Sequence, residues 1–262
     1  MAGPSPAVAA HRGAVVPLYA LTCLLSWTYW AIAAASSPDL SYYPGLFGPA
    51  VAALVVAAVS GADAVRDLVR RCLVWRGGGV LPVVAVATPL VLVAAAWVFG
   101  ETARFAKPGV PGAGVVGFSV AMLAASVGEE LGWRGLALPR LQLRKDALSA
   151  SIRLGLAWAL WHWPLFVLFD NYGDLGLVGV VPWIASLICA SVVFTWLANA
   201  TGGGVLGATG GGVLAAVLFH AAVDIATAAD AAPLVVAVVL NAGVIVAALA
   251  LPRVYGRRRL AP

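Results

Sequence analysis

Hydrophobic residues occur along the chain in long blocks with few acidic or basic residues, separated by short clusters of Pro, Gly, Asp and Arg. Most blocks approach the ~20 residues that a helix needs to cross the hydrocarbon core of a bilayer. The breaks carry turn-forming residues, such as the glycines at 77–79, which favour loops. We therefore predict about eight transmembrane helices, at residues 14–35, 45–61, 80–99, 113–137, 152–169, 176–199, 208–229 and 233–252.

The composition supports an all-α membrane protein and argues against a soluble one. Of the 262 residues, 62% are hydrophobic and 10% are charged, whereas roughly 25% of the residues in soluble domains are charged. The net charge of +5 could suggest binding to nucleic acid, but no basic stretch is long enough or interleaved with aromatic residues. The expected partners are the lipid bilayer and a membrane-associated substrate, with no nucleic acid.

The distribution of basic residues predicts the orientation in the membrane. Cytoplasmic loops are enriched in Lys and Arg. With the N-terminus inside and eight helices, 14 of the 16 basic residues fall in cytoplasmic segments, and only Arg104 and Lys107 lie outside. Both termini are then cytoplasmic. The chain is expected to be a multi-pass protein of the cell (plasma) membrane, and its Ala, Gly, Val and Arg content is typical of a GC-rich bacterial genome.

A short repeat precedes the seventh predicted helix. TGGGVLGA at residues 201–208 is followed by TGGGVLAA at residues 209–216. Small residues let helix backbones approach each other closely. A phosphate-binding loop is a poor alternative, because neither a nearby Lys nor a preceding strand is present.

Apart from Arg153 at the start of the fifth helix, six acidic, basic or histidine residues lie inside the predicted helices. An ionised side chain at the centre of a membrane helix costs roughly 2.5–3.5 kcal/mol, so such residues are functional candidates. They lie on three different helices, and any shared site must form by tertiary packing. They are Glu129, Glu130 and Arg134 on the fourth helix, His162 on the fifth, and His220 and Asp224 on the seventh.

Helical spacing groups these residues further. Glu130 and Arg134 are four residues apart, share a helix face and can form an ion pair, which favours a structural role. Glu129 lies about 100° around the helix axis from Glu130 and is not held by that pair. His220 and Asp224 are also four apart, so the carboxyl group can orient the imidazole ring.

Aromatic residues surround the histidine of the fifth helix. Trp158 lies one turn before His162, and Trp161 and Trp163 flank it. We predict a dry aromatic environment in which a nearby carboxylate suits a general acid or base. A helix–helix hydrogen bond without catalysis is the structural alternative.

Three short motifs resemble those of a known family. EELGWR at 129–134 matches EExxxR, WALWH at 158–162 is similar to FxxxH, and HAAVD at 220–224 is similar to HxxxN or HxxxD. Their order and spacing resemble the CPBP family, which comprises CAAX proteases and bacteriocin-processing proteins and is also called Abi. The resemblance covers about residues 113–230.

The resemblance implies a single integral membrane domain with three parts. Residues 1–112 would hold helices one to three, residues 113–230 the catalytic helical core, and residues 231–262 the last helix and a basic cytoplasmic tail. The implied activity is an intramembrane endopeptidase that hydrolyses a peptide bond of a membrane-associated substrate. A prenylated CAAX-like protein or a bacteriocin-type peptide are both candidate substrates.

The family roles can be carried over by position. Glu129 would activate the attacking water and His162 would help to hold it. His220 and Asp224 would face the scissile carbonyl and stabilise its developing negative charge. The end of the fourth helix suggests that the site opens toward the cytoplasmic half of the membrane.

Glu130, Arg134 and Trp158 would support these residues, and two positions depart from the motifs. Trp158 replaces Phe and is bulkier, which could narrow the substrate cleft. An ionised Asp224 would repel an oxyanion, so it must either be protonated to donate a hydrogen bond or serve to orient His220.

The expected mechanism needs no cofactor. The alternative is Zn²⁺ bound by Glu129, His162 and His220, although the chain lacks the HExxH motif of the usual zinc helix.

Two other functions are compatible with buried ionisable residues. A proton-coupled transporter would place them in corresponding halves of an inverted repeat, whereas here the first three helices contain none of them. A non-catalytic immunity or scaffold protein could keep the pocket without cleaving a substrate. A serine protease is disfavoured because GxSxG is missing.

Overall fold

The computed structural model describes residues 15–36, 41–76, 79–98, 105, 110–112, 114–169, 176–202, 212–228 and 233–262. These residues form helices joined by short connections, and no β-sheet occurs among them. A 3₁₀ turn at Tyr43–Phe47 leads into the second helix. The α-helices are α1 Val15–Ser36, α2 Gly48–Ser60, α3 Ala62–Cys72, α4 Leu81–Val98, α5 Gly114–Glu130, α6 Leu138–Gln142, α7 Ala147–Leu168, α8 Gly176–Thr201, α9 Leu214–Thr227 and α10 Leu234–Tyr255.

A helix lies in each of the eight segments predicted to cross the membrane. Among the described residues, five helical stretches are long and apolar enough to span a bilayer, and they confirm an α-helical integral membrane protein. The 14-residue α9 and the apolar part of α4 are shorter, so eight crossings and cytoplasmic termini stay predictions. The five stretches are Val15–Ser36, Tyr43–Ser60, Gly114–Gln142, Gly179–Thr201 and Leu234–Tyr255.

Helix α3 is an element that the hydrophobic pattern did not predict. It is amphipathic, with Ala64 and Leu68 buried, while Asp63 and Arg66 are exposed and form an ion pair. Such a helix is suited to lie at the membrane surface rather than to cross the bilayer.

The fourth predicted helix changes geometry directly after the two glutamates. The α-helix ends at Glu130, continues as a π-helix over Leu131–Ala137 and returns to an α-helix at Leu138. Gly132 fits tightly here, because a Cβ at this position would lie 2.6 Å from the Cβ of Pro49. Short π-helical turns are frequently found at functional sites.

Helix α9 packs against α4 and α5, and α8 packs against α7 and α10. Residues 203–211, which hold most of the glycine-rich repeat, lie outside the described residues. Gly212 of the repeat is described, and a Cβ there would lie only 2.6 Å from the carbonyl oxygen of Val74. The close approach predicted from small residues is therefore present at Gly212.

The basic segments meet at one end of the helix bundle. Ala147 N and Leu148 N, at the start of α7, donate to the carbonyl oxygens of Arg258 and Arg257 at 3.2 and 3.0 Å, and Arg76 N donates to Thr201 O at the end of α8. We call this side the basic end. It holds Arg66, Arg70, Arg71, Arg76, Arg140, Arg144, Lys145, Arg153, Arg253, Arg257, Arg258 and Arg259. The opposite end holds the last turns of α1, α7 and α9 and the first turns of α5, α8 and α10.

Candidate active site

Glu129 lies in the last turn of α5 and is bonded to a tryptophan of α7. Its side chain is buried, and the indole N–H of Trp158 donates to Oε2 at 2.6 Å. The hydrogen bond joins the first and second motifs. Sequence reasoning associated Trp158 with His162 and missed this contact, because the contact depends on how α5 and α7 are rotated against each other.

Glu130 holds two partners with a single oxygen. Arg134 donates to Oε1 at 2.9 Å, which confirms the predicted ion pair, and His220 Nδ1 lies 3.0 Å from the same oxygen. Since a carboxylate only accepts, Nδ1 of His220 carries the hydrogen. The side chains of Glu130 and Arg134 are fully buried. Glu130 therefore also links the first motif to the third, a role that helical spacing did not predict.

The guanidinium of Arg134 is further stabilised by aromatic rings. Its central carbon lies 4.5 Å from the ring centroid of Phe194 and 5.1 Å from that of Trp158. Cation–π contacts of this kind strengthen when they are shielded from water.

Asp224 lies beside His220 but does not make its orienting hydrogen bond. Nε2 of His220 is 3.6 Å from Oδ2 of Asp224, which is long for a hydrogen bond. The Asp224 side chain is 29% exposed, whereas that of Glu130 is buried. Glu130 therefore orients the ring through Nδ1, and Asp224 stands in ion-pair range on the other side.

His162 is oriented by the backbone of its own helix. Its Nδ1 lies 2.9 Å from the carbonyl oxygen of Trp158. A carbonyl only accepts, so Nδ1 carries the hydrogen, and Nε2 of a neutral ring carries a lone pair. The aromatic surround comes from Trp158, Trp161 and, from α8, Trp183. The expectation that Trp163 belongs to it is wrong, because Trp163 is 50% exposed.

A cavity of about 260 Å³ brings the predicted catalytic residues together. Glu129, His162, His220 and Asp224, from three helices, all line it, as does Trp158. Glu130 and Arg134 do not line the cavity. They support it through the contact of Glu130 with His220 and that of Arg134 with Trp158.

The comparisons with known proteins agree with the three motifs. Residues 111–226 match the family described as Type II CAAX prenyl endopeptidase Rce1-like. This match supports the resemblance to the CPBP family. A protein named CAAX prenyl protease 2, from Methanococcus maripaludis, is 34% identical over 80 residues, which is 29% of this chain and 30% of that protein. The match to this relative therefore spans less than a third of its length. All seven candidate site residues lie inside the region that matches the Rce1-like model.

The structure adds a cavity residue outside the region that matches the Rce1-like model. Asn241, on α10, lines the cavity, and its Nδ2 donates to Ala237 O at 2.8 Å. Sequence reasoning considered only ionisable residues in the spans and overlooked it. The available signal was an amide side chain inside the apolar run LVVAVVLNAGVIV.

The cavity extends toward the end of the bundle that is opposite to the basic end. Its lining continues from Glu129 to Tyr42 before α2, and to Thr227 and Ala228 at the end of α9. The expected opening toward the cytoplasmic half stays a prediction, because the lining residues do not say which end of the bundle is cytoplasmic.

The zinc alternative would require Glu129, His162 and His220 to act as ligands together. Among the described residues, no three His, Cys, Asp or Glu side chains converge in an arrangement that could hold a metal ion.

Proposed function

We propose that this protein is an intramembrane endopeptidase in which Glu129 activates a water molecule without a metal ion. One observation carries the proposal: Glu129, His162, His220 and Asp224, from three separate helices, line a single cavity. Structural ion pairs or helix–helix hydrogen bonds do not require such a cavity. The family match at residues 111–226 supports a protease.

Glu129 is placed to act as the general base. Trp158 engages Oε2 of Glu129. Within the described part of the chain no hydrogen bond to Oε1 is found, so a cavity water can donate to it. The water oxygen attacks the carbonyl carbon while Glu129 takes the proton. Glu129 then returns this proton to the amine nitrogen as the C–N bond breaks. His162, which lines the same cavity, would help to hold this water.

His220 is placed to stabilise the oxyanion. When both ring nitrogens carry hydrogens, Nδ1–H donates to Glu130 and Nε2–H can donate to the carbonyl oxygen as negative charge develops. Asp224, at 3.6 Å from Nε2, then balances the charge of the imidazolium. The buried Arg134–Glu130 pair keeps the ring in this position.

The proposal also covers the membrane topology, the catalytic region and the substrate. Eight helices would cross the cell membrane, both termini would be cytoplasmic, and residues 113–230 would form the catalytic core. The substrate would be a membrane-associated peptide or protein, with or without a prenyl group.

A peptidase assay on the purified protein tests the mechanism. The substrate is a fluorogenic peptide tethered to the membrane or the detergent micelle, offered with and without a prenyl chain. We expect Glu129→Gln and His162→Ala to lose roughly 10²–10⁴-fold in kcat, as is typical when a general acid–base is removed. Matched controls are Asp63→Asn, at an exposed carboxylate, and His11→Ala, at the third histidine of the chain.

A strong chelator separates the two chemical mechanisms. Cleavage that persists with chelator supports the glutamate mechanism, whereas cleavage that is lost and then restored by Zn²⁺ contradicts it. If the folded wild type and the Glu129 variant behave alike across a broad peptide set, a non-catalytic immunity or scaffold role replaces the protease.

A further inference from the structure

A small pocket with charged walls lies at the basic end of the bundle. It is formed between α3, the π-helix and α6, and Asp67, Arg71, Leu136 and Arg140 are among its lining residues. Its volume of about 10 Å³ is close to the space that one water molecule occupies. The pocket therefore admits a single polar atom, such as one oxygen of a larger group that stays outside.

Arg140 is a buried cation whose hydrogen bonds are incomplete. The residue is only 5% exposed. Its Nη1 donates to the carbonyl oxygen of Leu136 at 3.1 Å, whereas its Nε has no hydrogen-bond partner among the described residues. A buried donor without an acceptor is costly, and a buried charge without a counter-charge is more so. The guanidinium of Arg140 therefore lacks an acceptor that a ligand can supply.

The carboxylate in the pocket wall is already bonded to two other arginines. Arg70 Nη2 donates to Oδ1 of Asp67 at 2.8 Å, and Arg71 Nε donates to Oδ2 at 2.9 Å. Arg71 is buried like Arg140. Three guanidinium groups and one carboxylate leave an excess of positive charge around the pocket, which attracts an anion.

Helix α3 places this charge at the membrane surface. Val69 and Leu73 on α3 are exposed apolar residues, and they alternate with the arginines of the same helix. Apolar residues beside basic ones are typical of a helix that lies in the headgroup region of a bilayer. Phospholipid phosphates occupy the same layer, and basic pockets between membrane helices bind anionic headgroups. An oxyanion of the right kind is therefore supplied by the membrane itself.

We propose that this pocket binds an anionic phospholipid through its phosphate group. One phosphate oxygen would enter the pocket and accept from Nε of Arg140, while the rest of the headgroup and the acyl chains stay beside α3. Asp67 would not be an obstacle, because both of its oxygens are bonded to arginines. The bound phosphate would link α3 to the π-helix that carries Arg134. This binding does not require the proposed protease activity.

Thermal unfolding of the delipidated protein in detergent measures the binding. Phosphatidylglycerol is titrated into the micelles, and phosphatidylcholine with the same acyl chains is the comparison without net charge. Inorganic phosphate at matched ionic strength represents a free oxyanion. We expect phosphatidylglycerol to raise the unfolding temperature more than either of the others. Equal shifts with the two lipids, or an equal shift with inorganic phosphate, overturn the proposal.

Two variants locate the site. In Arg140→Gln the apparent affinity for phosphatidylglycerol should fall ~10- to 100-fold, as expected when a hydrogen bond to a charged group is lost. Arg144→Gln removes the same charge from an exposed position at the same end and should keep the wild-type affinity. If the two variants bind this lipid equally well, general attraction to the basic end explains the binding and the site is refuted.

A measurement on the wild type keeps the proposal testable if Arg140→Gln does not fold. Phosphatidylglycerol with a photoreactive group close to the headgroup is crosslinked to the protein, and the labelled peptides are identified by mass spectrometry. We expect labels on α3 and α6 that unlabelled phosphatidylglycerol displaces and phosphatidylcholine does not. Labels confined to other helices, or equal displacement by both lipids, contradict the proposal.

Discussion

His220 Nδ1 lies 3.0 Å from Oε1 of Glu130, although the two residues are 90 positions apart in the chain. Arg134 donates to the same oxygen at 2.9 Å. The three side chains form a chain of contacts from the π-helical turn after α5 to the middle of α9. The Glu130–Arg134 ion pair, for which the sequence predicted a structural role, therefore also positions the His220 ring that is proposed to stabilise the oxyanion.

Removing the charge of Glu130 should destabilise the fold strongly. Glu130→Gln leaves the fully buried Arg134 without its counter-ion, and breaking a buried pair in this way costs about 3–5 kcal/mol. The measurement is the unfolding free energy in detergent. Asp63→Asn breaks an exposed pair and should leave that free energy nearly unchanged. Equal stability of the two variants would show that Glu130 does not carry the contact network.

Replacing Trp158 with phenylalanine should slow catalysis while keeping the fold. The change restores the aromatic residue of the motif and removes the N–H that donates to Glu129 at 2.6 Å. A hydrogen bond to a charged group contributes about 1.5–3 kcal/mol, so kcat should fall ~10- to 100-fold. The kinetics of peptide cleavage report this effect. Trp163→Phe, at a 50% exposed position, is the control, and an equal loss in both variants would contradict the assignment.

The start of α7 should weaken in acid. The backbone N–H of Ser149 and then its hydroxyl donate to the Asp146 carboxylate and hold its pKa below the ordinary value of 3.8. A depressed pKa stabilises the fold at pH values above 3.8, and this contribution is lost as the pH falls through the folded-state pKa. Thermal unfolding of wild type and Asp146→Asn should therefore differ in its dependence on pH below about 4.

At neutral pH the same two proteins should have similar stability, because Asn is also a good N-cap residue. Asp146→Ala should lose about 1 kcal/mol. If the acid-induced loss in wild type and Asp146→Asn follows the same curve, the cap does not contribute to it.

Asn241 should affect substrate binding more than the chemical step. It lines the cavity from α10. Among the described residues, no hydrogen bond joins it to Glu129, the proposed general base. Asn241→Leu should raise KM with little change in kcat, which indicates loss of uniform binding. Ala242→Leu, at an exposed position outside the cavity lining, should leave both constants unchanged. A fall in kcat alone would place Asn241 in the chemistry instead.

The hydrophobic pattern was sufficient to locate the long helices and the motifs. Length and polarity alone determine whether a segment can exist in lipid, so a helix was correctly placed in each of the eight segments. The four-residue spacing of Glu130 and Arg134 was sufficient to predict their ion pair, since both groups lie on one helix. Helix α3 was missed because an amphipathic surface helix does not contain an apolar block.

The contacts between helices could not be predicted from the hydrophobic pattern or from spacing along one helix. Three such contacts depend on how two helices are rotated and how deep each lies, which the order of helices along the chain leaves undetermined. They are the contacts of Trp158 with Glu129, His220 with Glu130 and Trp183 with His162. The prediction that Trp163 helps to enclose His162 was wrong because adjacent residues point to different faces of a helix.

The sequence by itself determined which residues are too polar for lipid and must therefore be buried together, because an isolated charge in hydrocarbon is costly. It also determined the basic end, because the arginines are concentrated in alternate connections. Only the tertiary structure decided that Glu129, His162, His220 and Asp224 line one cavity, and that this cavity extends away from the basic end. Both results follow from side-chain packing between α5, α7 and α9, which is specified by shape and not by the pattern along any single helix.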